Sequence, residues 1–163
     1  MSRSALTFTL MCLLPLISCQ RSTDLTEAQR RAVIQGVQQM AVQFFDDVRT
    51  HNADAIIAHM DSSDAFFWVF PPDTTLHSRA TLAAGLRTDL DAYPSIEGRW
   101  LRMRVEPLTA TIAVYTGVFE QVGTTLEGEI FTTRGIESAT VILRDDGWKF
   151  LSGQTTLRSG GTE

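Results

Sequence analysis

The sequence predicts an α+β fold in which helices pack on one face of a strongly curved antiparallel sheet. Apolar residues recur at three- and four-residue steps in the first part of the chain, as amphipathic helices require. After "YPSIEG" at 93–98, strand-like runs follow one another and are separated by turn-forming residues. There is no internal repeat and no low-complexity tract. Helices followed by an antiparallel meander are typical of an α+β domain.

The first predicted helix is long and carries one apolar stripe. A capping box at its start is formed either by Asp24 with Glu27 or by Thr26 with Gln29. The pattern then runs for more than five turns and breaks at 51–52. Because the apolar positions all fall on one side, this helix is expected to cover the sheet. Those positions are Val33, Val37, Met40, Phe44 and Val48.

Two shorter helices and an aromatic strand are predicted next. Asn52 or Asp54 is suited to cap a short helix, and Ser78 is suited to cap a third one that carries Leu82, Leu86 and Leu90. Between them, "DAFFWVF" at 64–70 is a β-type run that ends at Pro71-Pro72, since proline cannot continue a paired strand.

Four further strands are predicted at about 99–106, 110–122, 129–143 and 147–157. The strongest hairpin signal is Asp145-Asp146-Gly147, because Asp-Gly tolerates the positive φ of tight turns. Run 110–122 has apolar residues at both parities, so both faces of the sheet need cover. The helices cover one face. We therefore expect the other face to meet a second copy of the chain in a homodimer.

The N-terminal segment resembles the leader of a bacterial lipoprotein precursor. Arg3 is followed by an apolar stretch that is too short for a permanent membrane span of roughly 20 residues, and the stretch ends in "LISC". The resemblance implies cleavage before Cys19 and lipidation of that residue. An ordinary secretory signal or an N-terminal anchor helix is the alternative. Since Gln20, and not Asp, follows the cysteine, anchoring in the outer membrane facing the periplasm is expected.

Composition excludes several classes of function. The chain has 14 basic and 19 acidic residues, a net charge of −5, and loss of residues 1–18 would remove Arg3 and leave −6. An acidic chain argues against a nucleic-acid partner. Cys12 would leave with the leader, so the mature chain would have neither a disulfide nor a thiol nucleophile. The predicted organisation is a signal peptide at 1–18, lipidated Cys19 with a tether to 27, a domain at 28–157 and a flexible tail at 158–163.

The chain resembles the nuclear transport factor 2-like superfamily, in particular its SnoaL-like branch. The resemblance is carried by "AVQFFDDVRTHNADAIIAHM", "FFWVF", "IAVYTGVF" and "RDDGWKFLSGQTT", taken in order and spacing. It implies a cone-shaped, cystatin-like fold whose bent sheet encloses a pocket, usually in a homodimer. Members include isomerases, dehydratases and domains without known activity, so the site has to decide the function.

The residues at the expected catalytic positions do not favour proton transfer. Relatives that resemble ketosteroid isomerase carry a Tyr and an acid where this chain has Phe45 and either Val69 or Phe70. Other SnoaL-like domains carry a His where Gln154 stands here, and Gln does not titrate. Period-two alternation places Gln154 on the same face as Trp148, which we expect to pack in the core.

The candidate pocket residues combine aromatic rings with a few polar groups: Trp68, Phe70, His77, Trp100, Tyr115, Phe119, Arg134 and Gln154. Core filling is the alternative for the aromatic residues, and a solvated position near the strand end is the alternative for Gln154. Arg134 would anchor a carboxylate if it pointed inward, and otherwise lies on an exposed strand face or in a dimer ion pair. His51 and His59 are expected to be exposed, and their spacing predicts no metal site. Asp61 and Asp64 are expected to be solvated acids.

Three functions follow as hypotheses. The favoured one is an envelope lipoprotein that binds a small, partly apolar ligand without catalysis and without a cofactor. The second is a dimeric structural or interaction domain with protein partners in the envelope. The third is an isomerase, dehydratase or hydrolase that uses Tyr115, His77 or Arg134.

Overall fold

The computed structural model describes residues 24–159, which form three helices and one five-stranded sheet. In chain order these are α1 (Glu27–Arg49), α2 (Ala53–Ala58), β1 (Phe67–Val69), α3 (Arg79–Asp91), β2 (Ser95–Pro107), β3 (Ile112–Thr124), β4 (Ile130–Arg144) and β5 (Gly147–Ser159). None of these helices is long and apolar enough to cross a membrane. The predicted leader and Cys19 lie outside the described residues. The predicted α+β fold, with helices on a curved sheet, is confirmed.

The sheet order is β1-β5-β4-β3-β2. Strands β2 to β5 form the predicted antiparallel meander, and β1 pairs with β5 in parallel. β1 has three residues and is shorter than the predicted run at 64–70. β5 continues to Ser159, two residues into the segment predicted as a tail.

The helix caps and the β4–β5 turn form at the residues where the sequence predicts them. The Thr26 hydroxyl accepts from the Gln29 backbone N–H at 3.2 Å, and the Gln29 side chain accepts from the Thr26 backbone, so the second of the two possible capping boxes forms. Asn52 caps α2 and Ser78 caps α3. Gly147 has φ +115°, as the β4–β5 hairpin requires.

The core lies between α1 and the inner face of the sheet. Val33, Val37 and Met40 of α1 meet Ala113, Val141 and Phe150 in one buried cluster. Trp148 packs over Gly36, where a Cβ would lie 2.5 Å from the Trp148 indole nitrogen. The predicted stripe and the core position of Trp148 are thereby confirmed.

The outer face of the sheet has a regular cross-strand arrangement. One row across β2, β3, β4 and β5 consists of Arg99, Glu120, Arg134 and Arg158. The next row contains Val118 and Ile136, which is 54% exposed, and Val114 lies two rows further along β3. In the described part of the chain this face is solvent-accessible.

Candidate functional site

A small cavity lies between the helices and the inner face of the sheet. Its volume is about 100 Å³. It is lined by Phe44, Met60, Phe66, Trp68, Phe70, Leu82, Glu137, Phe150 and Thr155. Glu137 and Thr155 are the polar members of this lining, and Phe70, 40% exposed, marks the side open to solvent. An apolar cavity with a few convergent polar groups is typical of a small-molecule site.

Glu137 is the central polar residue of the site. It lies on β4 at the same parity as Ala139 and Val141, which face the helices, so its carboxylate is directed inward. The Tyr115 hydroxyl donates to Oε1, and the Thr155 hydroxyl donates to Oε2 at 3.0 Å.

The indole of Trp68 extends this network. Its Nε1–H donates to the Thr155 hydroxyl at 2.9 Å, so the chain Trp68–Thr155–Glu137–Tyr115 is continuous. Every donor in it is neutral. Since each carboxylate oxygen accepts one bond and has a second lone pair, Glu137 retains the capacity to accept from a ligand.

Burial changes the titration of this pair. Loss of solvation raises the pKa of Glu137 to about 6, although its hydrogen bonds to Tyr115 and Thr155 favour the ionised form. Burial and the neighbouring carboxylate raise the pKa of Tyr115 well above its ordinary value. Glu137 is therefore mostly ionised near pH 7 and mostly protonated near pH 5. Such a group is suited to accept or donate a proton close to neutral pH.

Three of the predicted pocket residues belong to this site. Trp68 and Phe70 line the cavity, and Tyr115 contacts it through the carboxylate of Glu137. Trp100 and Phe119 pack instead in the neighbouring aromatic core with Phe45, and the Trp100 indole donates to the backbone oxygen of Ala41 at 3.0 Å.

Gln154 points away from the cavity, so its predicted common face with Trp148 is wrong. Phe150 pairs with Val141 and Ser152 pairs with Thr140, which leaves Leu151 as an extra residue. This β-bulge reverses the alternation. Trp148 and Phe150 face the helices before it and Thr155 does so after it, whereas Gln154 is exposed on the outer face.

Arg134 and His77 also lie outside the cavity. Arg134 is in the outer row, where its Nε is 2.9 Å from Glu120, and its side chain is 68% exposed. Arg134 therefore does not point inward but lies on the exposed strand face of the single chain, and the dimer ion pair stays a prediction. His77 pairs with Asp73 at 3.2 Å, and its ring centroid lies 5.7 Å from that of Phe70, so it borders the open side without lining it.

Three surface expectations are corrected. His59 is not exposed, because it pairs with Asp47 at 2.8 Å and both side chains are only 14% exposed. His51 is partly covered, and its Nε2 is buried. Asp61 is not solvated. It is buried against Arg144 at 2.6 Å, and this hydrogen bond lowers its pKa to about 2.

Among residues 24–159, no cluster of His, Cys, Asp and Glu could hold a metal ion.

A larger, polar cleft of about 630 Å³ lies beside the β4–β5 hairpin. Its charges are largely paired with one another: Arg144 with Asp61 at 2.6 Å, and Lys149 with Asp146 at 2.9 Å. Charged and polar residues make up most of its lining, with Ala58, Met60 and Leu143 as the apolar members, whereas a small-molecule site is typically lined by apolar and aromatic side chains.

Glu137 is the residue that sequence reasoning missed. The available signal was an acid that shares the parity of Ala139 and Val141 within an apolar strand. A buried acid needs partners, and Tyr115 on the neighbouring strand and Thr155 on the next supply them. These three residues are distant in sequence, and only the register brings them together.

The comparisons with known proteins place the fold. No protein-family model and no curated protein matches the chain. A candidate scytalone dehydratase from Novosphingobium aromaticivorans superposes with a TM-score of 0.74 at 11% identity, over 85% of this chain and 94% of that one. A candidate dehydratase of the NTF2-like family from Streptomyces avermitilis gives 0.68 at 14%, over 78% and 97%.

A third similar structure is the hexachlorocyclohexane dehydrochlorinase LinA-type3 from Novosphingobium barchaimii, with a TM-score of 0.66 at 15% identity, over 82% of this chain and 91% of that one. At such identities the likeness shows the fold alone. The protein therefore has the nuclear transport factor 2-like fold, as the resemblance implied, and its function has to be argued from its own site.

Proposed function

We propose that this protein binds a small, largely apolar molecule in the cavity beside Glu137. The observation that carries the proposal is a buried carboxylate with free acceptor capacity in an otherwise apolar, aromatic-lined space. Apolar walls supply the affinity, and the convergent polar groups fix the orientation of the ligand.

The size of the cavity bounds the ligand. An apolar cavity of about 150 Å³ can hold benzene, which has six carbon atoms, so a volume of about 100 Å³ is enough for about four non-hydrogen atoms. A larger ligand would place one apolar group inside and extend past Phe70 to solvent.

Binding is tested by NMR titration of ¹⁵N-labelled protein with neutral probes such as cyclopentanone, cyclopentanol and tert-butanol. The indole N–H of Trp68 is the reporter because it lies in the cavity wall, and those of Trp100 and Trp148 are internal controls. We expect a saturable shift of the Trp68 signal. Leu82→Phe, which fills the cavity, should abolish it, whereas Leu76→Phe, at a 65% exposed loop position, should not. Absence of any saturable Trp68 shift would contradict binding.

Proton transfer is a second candidate function, favoured by the raised pKa of Glu137. In isomerisation the carboxylate would abstract a proton from a carbon acid. In elimination it would abstract a proton from the carbon next to the one that carries the leaving group. The similar structures that carry dehydratase and dehydrochlorinase names make elimination a reasonable class to test.

The test needs no knowledge of the natural substrate. Hydrogen–deuterium exchange at the α-carbon of cyclopentanone is followed by ¹H NMR in D₂O. We expect catalysed exchange that increases as pH rises through about 6 and is lost in Glu137→Gln, while Glu127→Gln, an exposed acid of the β3–β4 turn, retains it. Exchange at the buffer rate throughout would leave binding without catalysis.

We further propose that the domain belongs to the SnoaL-like branch and acts on the outer membrane, anchored through lipidated Cys19. The "LISC" sequence supports the lipid anchor, and "RDDGWKFLSGQTT" supports the SnoaL-like branch. Mass spectrometry of the membrane fraction should detect acyl chains on Cys19, and Cys19→Ser should release the protein to the soluble fraction. An unmodified cysteine in the mature protein would contradict the proposal.

A homodimer through the outer face of the sheet is proposed as well. Exposed Ile136 pairs with Val118 across β4 and β3, and exposed Phe67 lies on the same face of the sheet. Light scattering should give twice the monomer mass, and Ile136→Lys should lower it to that of the monomer. If the dimer itself is the function, crosslinking in cells should capture one dominant envelope protein.

A further inference from the structure

The Glu137 carboxylate is a buried negative charge that lacks a cationic neighbour. Its donors, Tyr115 and Thr155, are neutral side chains. Within the described range 24–159, no lysine, arginine or histidine lines the cavity. A buried ion is strongly unfavourable unless an opposite charge compensates it, so an ionised Glu137 creates a demand for positive charge inside the cavity.

Aromatic rings dominate the rest of the lining. The ring of Phe150 is central: that of Phe44 lies at 90° to it with centroids 5.3 Å apart, and that of Trp68 at 72° with centroids 5.5 Å apart. Phe66 and Phe70 complete the aromatic set. Ring faces carry partial negative charge and attract cations, most strongly where water is excluded. The aromatic rings and the carboxylate therefore both favour a positively charged ligand.

The shape of the cavity limits what kind of cation fits. Room for about four non-hydrogen atoms matches a trimethylammonium group. A primary ammonium has three N–H donors to satisfy, and the side-chain acceptors of the lining, Glu137 and Thr155, are hydrogen-bonded to each other and so lie at one place in the wall. Methyl groups need no such partners and gain from apolar walls.

We propose that the cavity binds a small organic cation of the methylated-ammonium class, whose charge is opposed by Glu137 and by the surrounding aromatic rings. This inference rests on the proposed small-molecule function and specifies the class of ligand. The net charge of −5 attracts such cations toward the protein.

The test compares two molecules of the same shape and different charge. Choline and its uncharged carbon isostere, 3,3-dimethylbutan-1-ol, are titrated into the purified protein, with NaCl keeping the ionic strength constant. The Trp68 indole signal and isothermal titration calorimetry report binding. We expect choline to bind about tenfold more tightly than the isostere.

Two variants and one matched control assign the preference to the cavity. Glu137→Gln should remove most of the preference for choline and retain binding of the isostere. Phe70→Leu, at the open side, should weaken choline more than the isostere, and it keeps the test decisive if Glu137→Gln does not fold. Phe67→Leu, of nearly equal exposure on the outer face, should leave both affinities unchanged.

Each outcome decides the question. Equal affinity for choline and its isostere overturns the cation inference and leaves small-molecule binding intact. If the neutral probes bind and choline does not, the cation inference is likewise overturned and small-molecule binding stays intact. If neither choline, nor its isostere, nor any neutral probe binds, both the inference and the proposed function fail. A choline preference that survives in Glu137→Gln and in Phe70→Leu also overturns the inference.

Discussion

Replacement of Glu137 by glutamine should change how stability depends on pH. Burial favours the neutral acid and raises the pKa from 4.5 to about 6. For a group whose folded-state pKa is raised, the stabilising contribution is fully present below the unfolded-state pKa and is lost as pH rises through the folded-state pKa. The free energy of unfolding of the wild type should therefore fall between about pH 4.5 and pH 6.5. A glutamine at 137 does not titrate and contributes no pH dependence in this window.

The magnitude follows from the same values. A pKa increase from 4.5 to about 6 corresponds to about 2 kcal/mol. Urea unfolding, followed by tryptophan fluorescence, is measured at half-unit steps from pH 4 to pH 7.5 for both proteins. The difference in free energy of unfolding between wild type and Glu137→Gln should shift by about 2 kcal/mol in favour of the variant as pH rises. Groups that titrate alike in both proteins cancel in that difference.

If the difference in free energy of unfolding between wild type and Glu137→Gln stays constant across this pH range, Glu137 is not a buried acid whose pKa is raised by loss of solvation. Glu127→Gln makes the same chemical change at an exposed turn, and its free energy of unfolding should depend on pH as that of the wild type does. Tyr115→Phe is the second probe. It removes a hydrogen bond that favours the ionised form, so the loss of stability should move to higher pH than in the wild type.

The remaining predictions concern stability at other positions. Gly98→Ala should destabilise the protein by about 2–3 kcal/mol in urea unfolding, because the new Cβ would lie 2.2 Å from the buried ring of Phe45. Gly85→Ala, inside α3 with its nearest neighbour atom at 3.6 Å, should instead stabilise it by about 0.5–1 kcal/mol in the same assay. Asp61→Asn should cost about 1–3 kcal/mol at pH 7, since it breaks the paired hydrogen bonds from Arg144 at 2.6 and 3.1 Å. Because the pKa of Asp61 is lowered to about 2, the wild type should lose this contribution only as pH falls below about 4.

Much of the fold could be predicted because it depends on local chemistry. The Thr26 capping box, the Asn52 and Ser78 caps and the Gly147 turn each involve residues only a few positions apart. The stripe of α1 follows from the helical period and needs no knowledge of what it packs against. The meander follows from turn residues between runs of β-branched and aromatic side chains.

The site was predicted only in part, because inward and outward positions on a strand depend on an uninterrupted alternation. One extra residue at Leu151 reverses it, so Gln154 was placed in the pocket and Thr155 was not considered. The resemblance implies a Tyr on α1 and an acid on the strand after α2, where this chain has Phe45 and either Val69 or Phe70. The acid that lines the cavity comes from β4.

The amino-acid sequence by itself determined the α+β class, the helix caps, the hairpin at Gly147 and the aromatic character of the interior, since each depends on composition or on neighbours along the chain. Only the tertiary structure decided that Glu137 is buried, that Tyr115 and Thr155 donate to it, and that Gln154 faces outward. The physical reason is that strand register and bulges act between residues up to 87 positions apart, as in the bond from Trp68 to Thr155. Register thus places a titratable group in an apolar cavity and raises its pKa toward neutrality.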